Sequence, residues 1–582
     1  MSQKWLKLLS TMFALAFVAA ACGSSSDSTS SETTIENGGD ESTTTIEDTD
    51  SAITVPDESA AGPVSGGTVI VGLEAEAPGL RPWEDTFASP SYNVGVAIYD
   101  KLMEQTIDGE YVGWAAESIE SNETLDVWTM TLRDGMKFTN GVDITGQTIA
   151  DMFVIQQTGA VSAGQVTSSS LVEVTAEGNV VTYTLSAPNA AFPSILSRSP
   201  LGMIFDPAAA AADPEGFANA PIGSGPFMVE SRDIDNETVL VRNPDYWMTD
   251  ADGTQLPYLD SIVFRPIPDE NTRLDALTSG TINAFQTLRQ GTIRNARDVG
   301  DSIKVLEFQG SNAGGGVFNT AVAPYDDLRV RKGLTLNNSQ EAVISALGGD
   351  GISAPTTQWF SVDSPWYSEA AAAVYPSFDQ AAGTALLQEY VDDAARSDGK
   401  AVGEVITVDL SCPPDPSLIA AMQVLEQLWT ATGLVEVNLT NFDQQTHIGI
   451  ALGEAPDFVG THGAHCWRVS DDNDPSTTLN AAFAPVEASP LNWTNYYDEE
   501  MYGWIVEASS TTDFQTRYDL YEKVNIRLNE QVPMWYSGAT ATAIATETNI
   551  SGIDAWFTPD GSLGVGFPSA EGRWGQVYVS AE

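Results

Sequence analysis

Ile406-Thr-Val-Asp-Leu410, Leu418-Ile-Ala-Ala-Met-Gln-Val-Leu-Glu-Gln-Leu-Trp429 and Val435-Glu-Val-Asn-Leu439 follow one another in the chain, and their succession decides the fold class. The first and third alternate apolar and polar side chains as half-buried strands do, while the second repeats its apolar positions at three and four as a helix does. Another helix-like stretch and a strand candidate, Phe458-Val-Gly460, come next. Strand, helix, strand, helix, strand requires crossover connections and so predicts parallel pairing in an α/β lobe. Further towards the N-terminus, Gly67-Thr-Val-Ile-Val-Gly-Leu73 reads as a buried strand that begins the folded body. Val127-Trp-Thr-Met-Thr-Leu132 and Val180-Val-Thr-Tyr-Thr-Leu185 alternate as antiparallel strands, with Gly135, Asn140 and Gly141 supplying turns. No repeat of solenoid period interrupts this order.

The start of the chain belongs to export rather than to the fold. Lys4 and Lys7 precede an apolar run from Leu8 to Phe17 and then Val18-Ala19-Ala20-Ala21-Cys22-Gly23, the order of a secretory signal. The run is too short for a permanent transmembrane helix. Cysteine after three alanines resembles the lipobox at which bacterial lipoproteins are cleaved and acylated, although Ala19 stands where Leu or Val is usual. The alternative is an ordinary cleaved signal. Residues 23–64 contain no Lys, Arg or aromatic residue, so they cannot offset their ordering entropy by burial. They are expected to form a disordered tether with a reach of about 35 Å.

Composition narrows the function. With 80 acidic against 25 basic residues, the chain lacks the clustered cations that phosphate binding needs, which excludes nucleic acid as a partner. The acidity either steers cationic solutes to a cleft or serves as a solvated coat in salty surroundings. Beyond Cys22, Cys412 and Cys466 form an even pair in an oxidising compartment, consistent with a disulfide. All three histidines, His447, His462 and His465, fall in one window, and no GxSxG, HExxH or P-loop motif is present. The cluster His462-Gly-Ala-His-Cys466 has the residue types of a zinc or nickel site, but it lacks a second ligand group, so no metal and no cofactor is expected.

Several segments, in order, resemble the oligopeptide- and dipeptide-binding proteins of ABC importers, solute-binding protein family 5: Leu132-Arg-Asp-Gly-Met-Lys-Phe-Thr-Asn-Gly141, Ile222-Gly-Ser-Gly-Pro-Phe227, Arg242-Asn-Pro-Asp-Tyr-Trp247, Pro324-Tyr-Asp-Asp-Leu-Arg-Val-Arg331, and Asp471-Asp-Asn-Asp-Pro475 after Trp467. The resemblance implies an α/β fold of the two-lobed periplasmic-binding-protein type II, with a small extra subdomain in the N-terminal lobe. It sets out a signal at 1–21, a lipid-anchored linker at 22–64, lobe I at 65–109, 216–320 and 536–582, the subdomain at 110–215, and lobe II at 321–535. The function it implies is capture of a small solute, expected to be an oligopeptide or dipeptide, between the lobes by a monomer on the outer face of the cytoplasmic membrane, for delivery to ABC permease and ATPase subunits. A surface solute sensor or adhesive lipoprotein is the alternative, and a carboxylate-based glycosidase a more distant one.

The same resemblance assigns Asp471 to the peptide α-ammonium, since a buried ammonium needs a carboxylate partner. A solvated, helix-capping loop over Asp471, Asp472 and Asp474 is the competing reading. Trp467 is a candidate wall of the pocket and Trp493 a second. The run Gly310-Ser-Asn-Ala-Gly-Gly-Gly316, with Asn312 and Gly315, is expected to leave backbone groups exposed at the lobe junction for pairing with an extended peptide, or else to serve as a flexible link. Tyr246 and Trp247 are expected to pack under a loop with polar tips outward.

Overall fold

A computed structural model describes residues 62–580 apart from 86, 160, 443, 453–459, 469–473 and 487–491. The expected signal, most of the expected linker, Cys22 and Asp471 therefore lie outside the described residues.

The segments that decide the fold class form an α/β unit with a helical crossover between parallel strands. Ile406–Cys412 pairs in parallel with Val435–Asn441 across the helix Pro416–Thr430. That helix starts where it does because Asp415 accepts the amides of Ser417 and Leu418 and Pro416 occupies the first turn. Its buried face is Ala421, Met422, Leu425 and Trp429, the spacing of a stripe turned to a sheet. The third strand is Ala464–Arg468, parallel to Ile406–Cys412. Of the candidate Phe458-Val-Gly460, positions 458 and 459 lie outside the described residues.

This unit is one end of a ten-stranded sheet. Its order is Val435–Asn441, Ile406–Cys412, Ala464–Arg468, Ile303–Phe318, Met534–Glu547, Ala284–Thr287, Thr68–Leu73, Ser261–Pro266, Glu237–Arg242, Phe227–Asp233. Two lobes share it. Thr68–Leu73 pairs in parallel with Ser261–Pro266 and Ala284–Thr287 in lobe I. The two long central strands pair antiparallel and pass from one lobe to the other, with irregular register between Gln309 and Ala313 and between Gly314 and Gly315. At the lobe II end, Val317 and Tyr536 enter one apolar core while Phe318 and Trp535 enter another. Alternation thus buries both faces of the sheet.

The strands Ala116–Ser121, Val127–Leu132, Val180–Leu185 and Leu171–Glu177 form a separate antiparallel sheet in that order. Trp128, Met130 and Leu132 alternate inward with Val181, Tyr183 and Leu185. The C-terminal segment returns to lobe I, where Ile550, Phe567, Trp574 and Val577 share a core with Val69, Val71 and Ile98. No described helix is long and apolar enough to cross a membrane.

Candidate functional site

In open α/β sheets ligands bind beyond the carboxyl ends of parallel strands. Here that rim is formed by Ala464–Arg468 and Ile406–Cys412 on lobe II and by Ala284–Thr287 on lobe I. Trp467, on the first of these, stacks on Trp493 with ring centroids 4.9 Å apart and planes at 28°. Its cross-strand neighbour is Gly315. The sequence-predicted residues Trp467, Trp493 and Gly315 are thereby brought together at the strand ends of lobe II, with Trp493 buried in its apolar core and Trp467 packed half-buried against it.

The glycine run corrects an expectation. Gly314, Gly315 and Gly316 are neither a flexible link nor an exposed edge, because each is paired on both sides, with Arg468, Trp467 and Cys466 and with Gly538, Tyr536 and Trp535. Asn312 is fully buried and bridges to Phe360, while the Ala313 amide donates to the Trp359 carbonyl. Backbone groups for an added peptide strand are thus already used at these positions. Glycine is required here by space: a Cβ on Gly315 would lie 2.1 Å from the Trp535 carbonyl oxygen, and one on Gly316 2.0 Å from the Trp535 ring.

Strand alternation sends Cys466 away from Trp467. It joins Cys412 in a disulfide with Cα atoms 5.0 Å apart, which ties the two neighbouring strands that carry the rim. His465 shares the Trp467 side, with rings 6.1 Å apart, and the three histidines stack behind it. His447 and His465 lie 3.5 Å centroid to centroid, and His462 is 5.0 Å from His465. His465 donates through Nε2 to the His447 carbonyl at 2.9 Å and receives the Ser411 hydroxyl at Nδ1, 2.7 Å. His447 donates through Nε2 to the Cys466 carbonyl at 3.0 Å. These bonds are those of neutral rings. Burial accordingly pushes His447 and His462 down to about 4 and lowers His465 strongly. Among the described residues no group of three His, Cys, Asp or Glu is arranged to hold a metal.

Asp474 has a structural task. It caps the helix Pro475–Phe483 through the Ser476 amide and pairs with Arg517 at 2.5 Å, both groups being buried. Two residues that sequence reasoning missed face each other across the junction: Arg289, beyond Ala284–Thr287 of lobe I, and Asp415, beyond Ile406–Cys412 of lobe II, pair at 3.3 Å. Asp-Pro signals a helix start in sequence, yet nothing local signals its partner 126 positions earlier. A second bridge runs from the Ala190 amide of the subdomain region to the Ser509 carbonyl of lobe II, 2.9 Å.

Tyr246 and Trp247 also differ from expectation. Their polar tips point inward, and Asp100 accepts the Tyr246 hydroxyl at 2.7 Å and the Trp247 and Trp114 indole N–H groups at 2.9 Å each. A buried carboxylate left without such donors costs more than burying two indoles does.

Two lobes on a shared sheet, with an aromatic pair at the strand ends of one of them, have the architecture of a periplasmic-type binding protein. Residues 110–489 match the model of the bacterial extracellular solute-binding proteins, family 5 middle, and the chain belongs to this family of solute-binding, non-enzymatic transport proteins. It is 25 % identical over 513 residues to the dipeptide-binding protein of Escherichia coli (strain K12), covering 82 % of this chain and 90 % of that one. Among solved structures, the fold is shared with a periplasmic binding protein of Helicobacter pylori in complex with peptide STSA, at TM-score 0.71 and 18 % identity over 89 % of this chain and 99 % of that one. It is shared equally with AgaA of A. tumefacien R10 in complex with agropinic acid, at TM-score 0.71 and 21 % identity over 89 % and 99 %.

Proposed function

We propose that this protein captures an oligopeptide or dipeptide between its lobes and delivers it to an ABC importer, held to the outer face of the cytoplasmic membrane by lipid on Cys22. The observation that carries the reading is the stacked Trp467–Trp493 pair at the strand ends of lobe II, whose half-buried Trp467 is an aromatic wall of the kind that excludes water from a solute without dictating its side chains. Similarity to a dipeptide-binding protein supports a peptide as the ligand. On this reading Asp471 takes the peptide α-ammonium.

The test begins with mass spectrometry of the ligand released from purified protein, followed by calorimetry with that ligand. Loss of a buried carboxylate partner costs about 3 to 5 kcal/mol, so Asp471→Asn is expected to weaken binding at least about a hundredfold, with Asp472→Asn as the near-neutral control. Equal, small effects of both would move the ligand away from Asp471. A released ligand without an amino group would retire the peptide. Cys22→Ala is expected to release the protein from the membrane, and undiminished membrane retention would refute the anchor.

A further inference from the structure

The parallel strands of the two lobes point at each other. Ala284–Thr287 runs antiparallel to Met534–Glu547, which runs antiparallel to Ile303–Phe318, which in turn runs antiparallel to Ala464–Arg468 and hence to its parallel neighbour Ile406–Cys412. Ala284–Thr287 and Ile406–Cys412 are thus opposed in direction. The residues just beyond them, Arg289 and Asp415, meet at 3.3 Å across the crevice that open α/β sheets use for ligands. The Cys412–Cys466 bond ties the strand that leads to Asp415 to the strand that carries Trp467, so the ion pair and the aromatic wall belong to the same end of lobe II.

The two partners do not depend on each other equally. Asp415 Oδ1 accepts the amides of Ser417 and Leu418 and the Ser417 hydroxyl, and the helix Pro416–Thr430 that it caps presents its positive end to the carboxylate. Only Oδ2 turns to Arg289. Without Arg289, Asp415 keeps all of these hydrogen bonds. Without Asp415, the Arg289 guanidinium keeps no hydrogen bond and no ion pair among the described residues. Arg289 is also the N-cap residue of the helix Gln290–Asp298, yet its side chain caps nothing, and a cation at that end opposes the helix dipole. Its backbone, in contrast, is firmly held. The Arg289 amide donates to the Thr287 hydroxyl, and that hydroxyl and the Leu288 amide both donate to the buried Glu74, itself paired with Arg273. A half-buried guanidinium with unused donors, on a fixed turn where it does nothing for its own helix, is arranged for an incoming acceptor, and its planar fork matches a carboxylate.

We infer that Arg289 is the receptor for a carboxylate of the solute and that Asp415 stands in for that carboxylate while the crevice is empty. The inference rests on the proposed capture of a peptide and names the end that is recognised, the C-terminal carboxylate. On entry the solute's carboxylate displaces Asp415 Oδ2 from Arg289. Asp415 retains its cap hydrogen bonds, so the exchange leaves neither charge without partners, whereas a solute ending in an amide would strand Arg289.

The experiment is thermal melting of the whole protein with a mixture of di- and tripeptides that end in free carboxylates, against the same mixture amidated at that end. Wild type is expected to respond to the free acids at about ten- to a hundredfold lower concentration than to the amides. Arg289→Gln is expected to erase that difference by weakening the acids. Asp415→Asn keeps the helix cap and removes the competitor, so the acids should bind about two- to fivefold more tightly. Equal responses of wild type to acids and amides would leave peptide capture standing and overturn the inference alone. A preference for acids that survives in Arg289→Gln would overturn it by placing the carboxylate elsewhere. Tighter binding of acids and amides alike in both variants would overturn it too, by reducing the pair to a latch between the lobes. No response to either mixture would overturn the inference together with the peptide reading.

Discussion

His447, His462 and His465 are the chain's only histidines, and all three end in one buried stack. Their pKa values are lower in the folded than in the unfolded state, where about 6.5 applies. The unfolded chain therefore binds more protons as pH falls, and the stability these rings confer is full above pH 6.5 and lost towards pH 4. For His447 alone, a fall to about 4 corresponds to roughly 3 kcal/mol. Asp100 works in the opposite sense over part of this window, since burial raises it to about 6, so its carboxylate costs stability as pH rises from about 4 to 6. Three rings outweigh one acid, and the melting temperature is expected to fall between pH 6.5 and 4.5. A flat profile across that range would remove the stack from the account of stability. The grouping of these residues in a short window was legible in sequence. Their neutral wiring was not, because Ser411 reaches His465 only once strands 54 positions apart are neighbours.

Elements show the same division between local pattern and distant pairing. The helix Pro416–Thr430 and the strands on either side of it were readable from period and cap, as were the alternating strands of the small sheet. The run from Gly310 to Gly316 was misread because glycine contributes little to a strand by itself. It becomes one only where Trp535 fills the room that side chains would need. Gly315→Ala is accordingly expected to push the Trp535 carbonyl aside and destabilise lobe II by about 1 to 3 kcal/mol, with the loss visible in denaturant unfolding, while unchanged unfolding would mean that the ladder gives way without cost. The disulfide acts on the neighbouring pair of strands. Its cysteines are 54 positions apart, and on the chain-entropy model such a closure contributes about 4 kcal/mol. Reduction should lower the unfolding midpoint by that order and broaden the Trp467 environment in fluorescence. Thiols that alkylate fully in the unreduced native protein would show that no bond forms.

At the scale of the whole molecule, the ion pair of Arg289 and Asp415 is a clasp between lobes. Asp415→Asn isolates that role, since asparagine caps a helix as well as aspartate does but brings no charge to Arg289. A partly exposed pair is worth about 0.5 to 1 kcal/mol, so the open form should gain roughly two- to fivefold in population and the radius of gyration of the ligand-free variant should rise. The wild type at high salt should approach it, and scattering curves that coincide would show the clasp to be idle. The ordered motifs made the two-lobed class legible, but which charges meet across the cleft depends on the lobes' mutual placement, which no local pattern encodes. The sharing of a core by Val69 and Trp574 has a bearing on biosynthesis. Ser89 donates to the Ser569 carbonyl and Asn93 to that of Ala570, so the helix Ser89–Ile98 finds these neighbours only when nearly the whole polypeptide has been made, although Thr68–Leu73 already has its strand partners by residue 287. Closing so long a loop is slow compared with local ordering. A chain arranged in this way completes the core of lobe I last, and a nascent form ending before residue 550 should remain protease-sensitive there where the full-length form is not.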